Sequence, residues 1–390
     1  MRIPFIYTIR NLFTRKLTAL LTILGIALVV FVWAAVFMFA HGVEKTMVAT
    51  GSLDNVVMLR KGADTELVSG IERDLANVIK TLPQFAIGAE GKPIASSEVV
   101  VIINLLKYKT NDMGNVTVRG VMPEAFQLRP VVHLVEGRMY KPGSREVIVG
   151  RAINRRFQGS EIGHTMRFGG DTWTVVGVFD ADKTGFDSEV WGDVDQLMQA
   201  FNRLGAFSSY TARLKDPGEF DKLVAQMESD QRLRTLKVER EREYYERQSK
   251  FMSVFIKVVG VFITVGFSIG AIFGAAITMY AAVANRTVEV GTLRALGFRR
   301  RSVLVAFLVE SIILSLLGGV GGLILASGLQ FFTVSTMNFG TFAELAFSFA
   351  LSTDIAVSSL IFAVVMGIVG GFFPAVRAAR LNILAALRAA

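Results

Sequence analysis

Cysteine is absent from the 390 residues, which excludes a disulfide framework and any thiolate metal site. Histidine is scarce: His41, His133 and His164 are the only three, and none stands in an H-E-x-x-H zinc spacing. The chain also lacks a G-x-S-x-G nucleophile elbow, a C-x-x-C pair and the G-x-x-x-x-G-K-[ST] loop that cradles nucleotide phosphates. With no catalytic constellation and no cofactor signature, the chain reads as a non-enzyme. A further absence is local, since residues 332–353 contain no Lys or Arg.

What is present is apolar. Hydrophobic residues make up 52% of the chain and the mean hydropathy is +0.47, too high for a soluble globular protein. Four runs are long enough to cross a hydrocarbon core, which takes about 20 residues as helix: Leu17 to Ala40, Val258 to Ala284, Ser302 to Phe331 and Ile355 to Val376. The first resembles a signal peptide in its basic start, but its apolar stretch is too long and no cleavage pattern follows, so it is expected to be a permanent span. Glu310 is the one charge inside the four. A proton relay needs more ionisable partners than the spans offer, so a structural role is expected for it, neutral or hydrogen-bonded to a neighbouring helix end.

Positive charge sets the expected orientation, because Lys- and Arg-rich segments stay cytoplasmic. Residues 1–17 carry Arg2, Arg10, Arg15 and Lys16 without an acid, residues 285–301 carry five Arg against Glu289, and residues 377–390 carry three Arg and no acid. Both termini and the 285–301 segment are therefore expected inside, and residues 41–250 and 332–353 outside. The formal net charge of +9 is then a topology signal. No basic stripe interleaved with aromatics suggests nucleic acid as a partner.

Residues 41–250 change pattern. "SEVVVIINLLKY" and "NVTVRGVM" read as strands, and "TMRFGGDTWTVVGVF" as a hairpin turning at Gly169 and Gly170. Two helices are expected among them, one over "GADTELVSGIERDLANVIKTL" capped by Asp64, the other over "KDPGEFDKLVAQM" with Asp216 as its cap. The fold class is thus an α-helical membrane protein with four transmembrane helices and a large α+β extracytoplasmic domain between spans one and two. The expected parts are 1–40, 41–250 and 251–390.

Residues 239–257, "EREREYYERQSKFMSVFIK", contain no Gly or Pro and read as a helical stalk continuing into the second span; a flexible hinge that happens to lack breakers is the alternative. Gly266, Gly270 and Gly274 recur every four residues, as do the pairs Gly318 with Gly322 and Gly367 with Gly371, a spacing that lets helices approach closely in membranes. The triple is the stronger candidate for helix packing. Between spans two and three, "RTVEVGTLRALGFRRR" reads as a short amphipathic helix near 287–297. Val290, Leu293 and Leu296 share a face at i, i+3, i+6, and Gly297 is placed to end it in a left-handed conformation.

These segments carry a resemblance. "NRTVEVGTLRALGFRRRSVLVAFLVESIILSLLGGVGG" (285–322) looks like the cytoplasmic loop and third span of FtsX-like permeases. "FPAVRAARLNILAALRA" (373–389) resembles that family's closing pattern, with Pro374, Ala378, Ala379, Arg380, Ala386, Leu387 and Arg388 matching and Ile383 where proline is common. "IRNLFTRKLTALLTILGIAL" and "REVIVGRAINRRF...IGHTMRFGGDTWTVVGVF" look like the MacB-like subset. The resemblance implies an ABC transporter permease in the bacterial inner membrane that works by mechanotransmission. It pairs with a second permease as a homo- or heterodimer, and two copies of a separate cytoplasmic ATPase hold the ATP and Mg. A coupling helix would engage that ATPase, here through Glu289, Val290, Gly291, Leu293, Arg294, Leu296 and Gly297. The cargo would be a lipoprotein, lipid, peptide or drug, with a periplasmic adaptor or carrier as a further partner. A non-transporting regulator that activates a cell-wall hydrolase is the alternative, and a loop helix lying on headgroups is the plainer reading of 287–297.

Overall fold

The computed structural model describes residues 16–383, so Arg2, Arg10, Arg15, Ala386, Leu387 and Arg388 lie outside the described residues. The chain divides into a helical unit (16–42, Val254–Phe332 and 348–383) and an α+β unit (Val43–Ser253 and Thr333–Phe347). The second includes the segment 333–347, which sequence reading left as a short loop.

In chain order the elements begin with α1 (Lys16–Thr50), followed by β1 (Asn55–Arg60), β2 (Ile71–Glu72), α2 (Arg73–Lys80), β3 (Ala95–Leu106), β4 (Met113–Val121), α3 (Ala125–Leu128), β5 (His133–Gly137) and β6 (Glu146–Gly150). Then come α4 (Arg151–Asn154), β7 (Thr165–Phe168), β8 (Asp171–Asp180), β9 (Glu189–Asp193), α5 (Val194–Ala200), β10 (Ala206–Phe207), β11 (Ser209–Arg213), α6 (Glu219–Ser229) and β12 (Leu236–Arg240). The chain continues with α7 (Glu241–Ala284), α8 (Thr287–Ala295), α9 (Arg300–Ser327), β13 (Thr333–Met337), β14 (Glu344–Ser348) and α10 (Thr353–Ala379).

Four of these helices, with α9 continued to Phe331 by a 3-10 turn, are long and apolar enough to cross a membrane. The stalk expected at 239–257 is helical from Glu241, its first two residues ending β12, and forms the first part of α7, which runs unbroken for 44 residues, about 66 Å at 1.5 Å per residue. A second extension was not anticipated: α1 continues past its apolar run to Thr50.

Helices in the helical unit meet through small residues. A Cβ at Gly318 would lie 2.8 Å from the Ile23 carbonyl oxygen on α1, and one at Gly322 only 2.5 Å from that of Ala27. On α10, a Cβ at Gly371 would lie 2.5 Å from the Ser311 side chain, whose hydroxyl donates to the Gly367 carbonyl at 2.6 Å. Nothing lies within 4 Å of a Cβ built at Gly266, Gly270 or Gly274. The packing expectation for that triple is therefore corrected within the chain: its face is open, and the two pairs ranked below it make the close contacts. The physical reason is that spacing specifies a face but not its neighbour.

In the α+β unit a ten-stranded sheet has the order β12-β1-β11-β3-β4-β9-β6-β8-β5, with β7 also on β8. The β4–β9 and β6–β8 pairs are parallel and the rest antiparallel. The β7–β8 hairpin turns at Gly169 and Gly170, whose φ of 61° and 78° suit the mirror-image turn that matches strand twist. Trp173, Val175, Val190, Val118 and Leu197 lie in its core.

Both expected helix starts are displaced. Residues 62–82 do not form one helix: Glu66 turns into the interior to reach Arg119, Ile71 pairs with Phe207 in a two-residue strand, and the helix starts only at Arg73. The second helix starts at Glu219, because the Asp216 carboxylate accepts from the Gly218 amide at 2.8 Å and closes a turn before it.

Candidate functional site

The segment between α7 and α9 is built into the helical unit rather than hung from it. α7 ends at Ala284 and α8 starts at Thr287, leaving two residues for the reversal. At the other end the Phe298 amide donates to the Leu293 carbonyl at 3.2 Å and the Gly297 amide to that of Arg294 at 3.1 Å, with Gly297 at φ 94°. This paired pattern with a left-handed glycine is a Schellman end. It fixes the approach to Arg299, the cap residue before α9.

Two arginines clamp α8. Arg286, at its N-terminal boundary, donates from Nη1 to Glu310 Oε2 on α9 at 2.8 Å, and both residues are only 6% exposed. Arg294, in its last turn, donates to the carbonyl of Leu381 at 2.7 Å and to that of Ala379 at 3.4 Å, beyond and at the end of α10. The Ala379 carbonyl is among the groups a helix end leaves without intrahelical partners. A cation there also faces the negative end of the α10 dipole.

Val290 supplies the apolar part of the clamp. It is 3% exposed and packs in a cluster with Met279 and Val283 of α7, Val303 and Phe307 of α9, and Ala375 and Ala378 of α10. Gly291 is buried beside it, and Leu293 and Arg294 are half-buried. Glu289, Leu296 and Gly297 are exposed, Leu296 at 67%. The face drawn from sequence is thus corrected, since Val290 points inward and Leu296 outward. A three-residue offset rotates only 300° per step, and at six residues the drift of about 120° puts the two on different sides. The accessible side of α8 carries Val288, Glu289, Thr292, Ala295 and Leu296.

Sequence reading flagged Glu310 but not its partner. An acid in a span calls for a cation nearby, yet five arginines of 285–301 were candidates, and only the two-residue turn brings Arg286 back onto α9. Among the described residues one group could in principle hold a metal ion, His133 with Asp180 and Asp182. It is not a free ligand set, because the Asp180 carboxylate pairs with Arg151 at 2.6 Å and accepts the Asp182 amide at 2.8 Å.

With this arrangement in view, the comparison with known proteins decides the family. The MacB-like periplasmic core domain matches residues 19–230. The FtsX-like permease C-terminal domain matches 251–383. The chain belongs to the FtsX/MacB-like ABC permease family. Among similar proteins, a macrolide export ATP-binding/permease protein MacB of Acinetobacter baylyi is 24% identical over 95% of this chain and 57% of its own length. A probable syringafactin export ATP-binding/permease protein, SyfD of Pseudomonas syringae pv. syringae, is 23% identical over 96% of this chain and 62% of its own. The chain thus spans about three fifths of the length of these relatives. Among solved structures, the periplasmic region of MacB from Actinobacillus actinomycetemcomitans aligns with a TM-score of 0.38 at 12% identity, covering 54% of this chain and 94% of that one. In this FtsX/MacB-like permease, the clamped α8 lies in the portion matched by the FtsX-like domain.

Proposed function

We propose that the chain is the transmembrane permease subunit of an ABC complex that works by mechanotransmission. ATP hydrolysis on a partner ATPase displaces α8, and the displacement is carried to the α+β unit, which moves a hydrophobic or periplasmic cargo. The observation that carries this reading is the clamp on α8. A loop helix resting on lipid headgroups needs no fixed attachment, whereas one that receives a push transmits it only if it cannot shift against its neighbours. Arg286–Glu310, Arg294 on the α10 carbonyls and buried Val290 supply three attachments to α9, α10 and α7. Relatives named for macrolide and syringafactin export support transport of a bulky, partly apolar molecule over activation of a hydrolase.

In this reading the protein lies in the bacterial inner membrane, paired with a second permease, with both termini and α8 cytoplasmic and the α+β unit periplasmic. Single cysteines in this cysteine-free chain test the orientation. With the outer membrane opened, an impermeant maleimide is expected to label Ser144→Cys and spare Ser302→Cys; the reverse pattern inverts the topology.

The docking face of α8 is tested at Leu296. Because the side chain is exposed, Leu296→Asp leaves the fold intact, but at a protein contact it buries an unpaired carboxylate, a cost of several kcal/mol. The co-expressed ATPase is expected to be lost on purification, or its stimulation by the permease to fall at least tenfold. Arg300→Ala, past the helix end, is expected to change either by less than twofold. Parental binding and stimulation by Leu296→Asp would falsify the coupling assignment.

A further inference from the structure

Four carboxylates and two guanidinium groups are buried together in the α+β unit where α7 begins. Glu241, the first residue of that helix, accepts from the Ser52 amide at 3.1 Å, from Asn55 Nδ2 at 2.9 Å and from Arg129 Nε at 3.2 Å. Arg129 Nη1 in turn donates to Glu98 Oε1 on β3 at 2.5 Å, and Glu98 Oε2 accepts from Arg119 Nη1 on β4 at 2.8 Å. Arg119 then reaches both oxygens of Glu66, at 2.8 and 3.0 Å, and both of Glu189 on β9, at 2.9 and 2.8 Å. The chain of ion pairs therefore runs from the helix start across three strands. Burial by itself would raise Glu66, but the Arg119 guanidinium overrides it and holds the carboxyl below its ordinary range.

Two more features mark this place. β12 ends at Arg240 and α7 starts at Glu241, so no loop separates strand from helix. Across from it, a Cβ at Gly51 would lie 2.6 Å from the Arg242 backbone, so the segment leaving α1 passes the first turn of α7 backbone against backbone. Element-terminal residues are where hinges form, because a change of φ and ψ there disturbs neither element. Here that position is tied instead to Ser52, Asn55 and Arg129.

We propose that Glu241 is a positioning residue for the coupling movement: through Arg129, Glu98 and Arg119 it locks the start of α7 and the exit of α1 to β3, β4 and β9. Displacement of the long helix then reaches the sheet instead of being absorbed by bending at Arg240–Glu241. This rests on the reading that the chain transmits movement. The ion pairs suit the task because their directional hydrogen bonds resist rotation at the junction, where apolar contacts alone would let the helix pivot.

The test uses the full chain in nanodiscs with the co-expressed ATPase. In Glu241→Gln, which keeps the shape and removes the charge, hydrogen exchange at residues 245–250 and 53–57 is expected to accelerate at least tenfold while β3 and β4 keep parental protection. Permease-stimulated ATP hydrolysis is expected to fall at least fivefold. Leu223→Ala, a core truncation on the buried face of α6, provides a destabilised control and is expected to keep its stimulation. Unchanged exchange in Glu241→Gln overturns the proposal. So does accelerated exchange with parental stimulation, or an equal loss in Leu223→Ala, since the effect would then be general stability. Failure of the underlying functional reading is seen separately: Leu296→Asp would retain stimulation, while the exchange comparison still decides whether Glu241 locks the junction.

Discussion

In the helical unit Arg286 is buried against Glu310. The α+β unit buries four carboxylates around two guanidinium groups, with Arg119 alone serving Glu66, Glu98 and Glu189. The pair is local: it fastens one turn to one helix, and both partners could be exchanged for apolar residues of similar volume. A shared network is not, because every carboxylate depends on a cation that also serves others. The contrast separates a local fastening from a structure that ties distant segments together.

The sharpest way to break this comparison is to remove one cation from each. Arg119→Met leaves Glu66 and Glu189 buried without a cation and Glu98 with Arg129 alone, and is expected to cost about 3–5 kcal/mol, whereas the double change Arg286→Met with Glu310→Leu is expected to be nearly neutral in stability. Denaturant unfolding of the purified full chain, read by tryptophan fluorescence, checks both. If Arg119→Met costs no more than the double variant, the network is no different in kind from the pair.

A second prediction moves the comparison to glycines. Gly322→Ala places a Cβ 2.5 Å from a backbone oxygen of α1 and is expected to destabilise by about 2–3 kcal/mol, since neither backbone can yield easily. Gly270→Ala meets open space and is expected to raise monomer stability by up to about 1 kcal/mol through helix propensity. Thermal denaturation in detergent orders the two, and equal effects would show that the close contacts with α1 do not hold.

The smallest effect concerns an acid outside the network. Asp187 is pushed up to about 6 by burial and by the neighbouring Asp180, although the Ala181 and Lys183 amides and Arg151 partly counter them. Its folded value lies above the unfolded one, so its contribution is fully present below about pH 4 and lost as pH rises through about 6. After allowing for partial solvent exposure the loss is about 1–2 kcal/mol. Stability between pH 4 and 7 is expected to flatten by that amount in Asp187→Asn. A parental pH slope in that variant assigns the dependence elsewhere.

The four long helices were legible because twenty apolar residues in a row have few other uses in a chain this hydrophobic. The hairpin at Gly169 and Gly170 and the end of α8 at Gly297 were legible for a local reason, since both need positive φ. The helix expected at 62–82 failed because Glu66 is drawn to Arg119, fifty-three residues away, and no local pattern records that. The same holds for Val290, whose inward position follows from the turn at 285–286 and from helices whose mutual rotation is set by packing.

The sequence by itself determined where the chain is apolar, where it must turn and where charge is concentrated, since these depend on neighbouring residues and on solvent. Only the tertiary structure decided which glycines are in contact, which arginine serves Glu310, and that Glu241 is joined through Arg129 and Arg119 to three strands. Those partners lie tens to hundreds of residues apart, and their pairing is a property of the packed chain, in which each buried charge must find an opposite one.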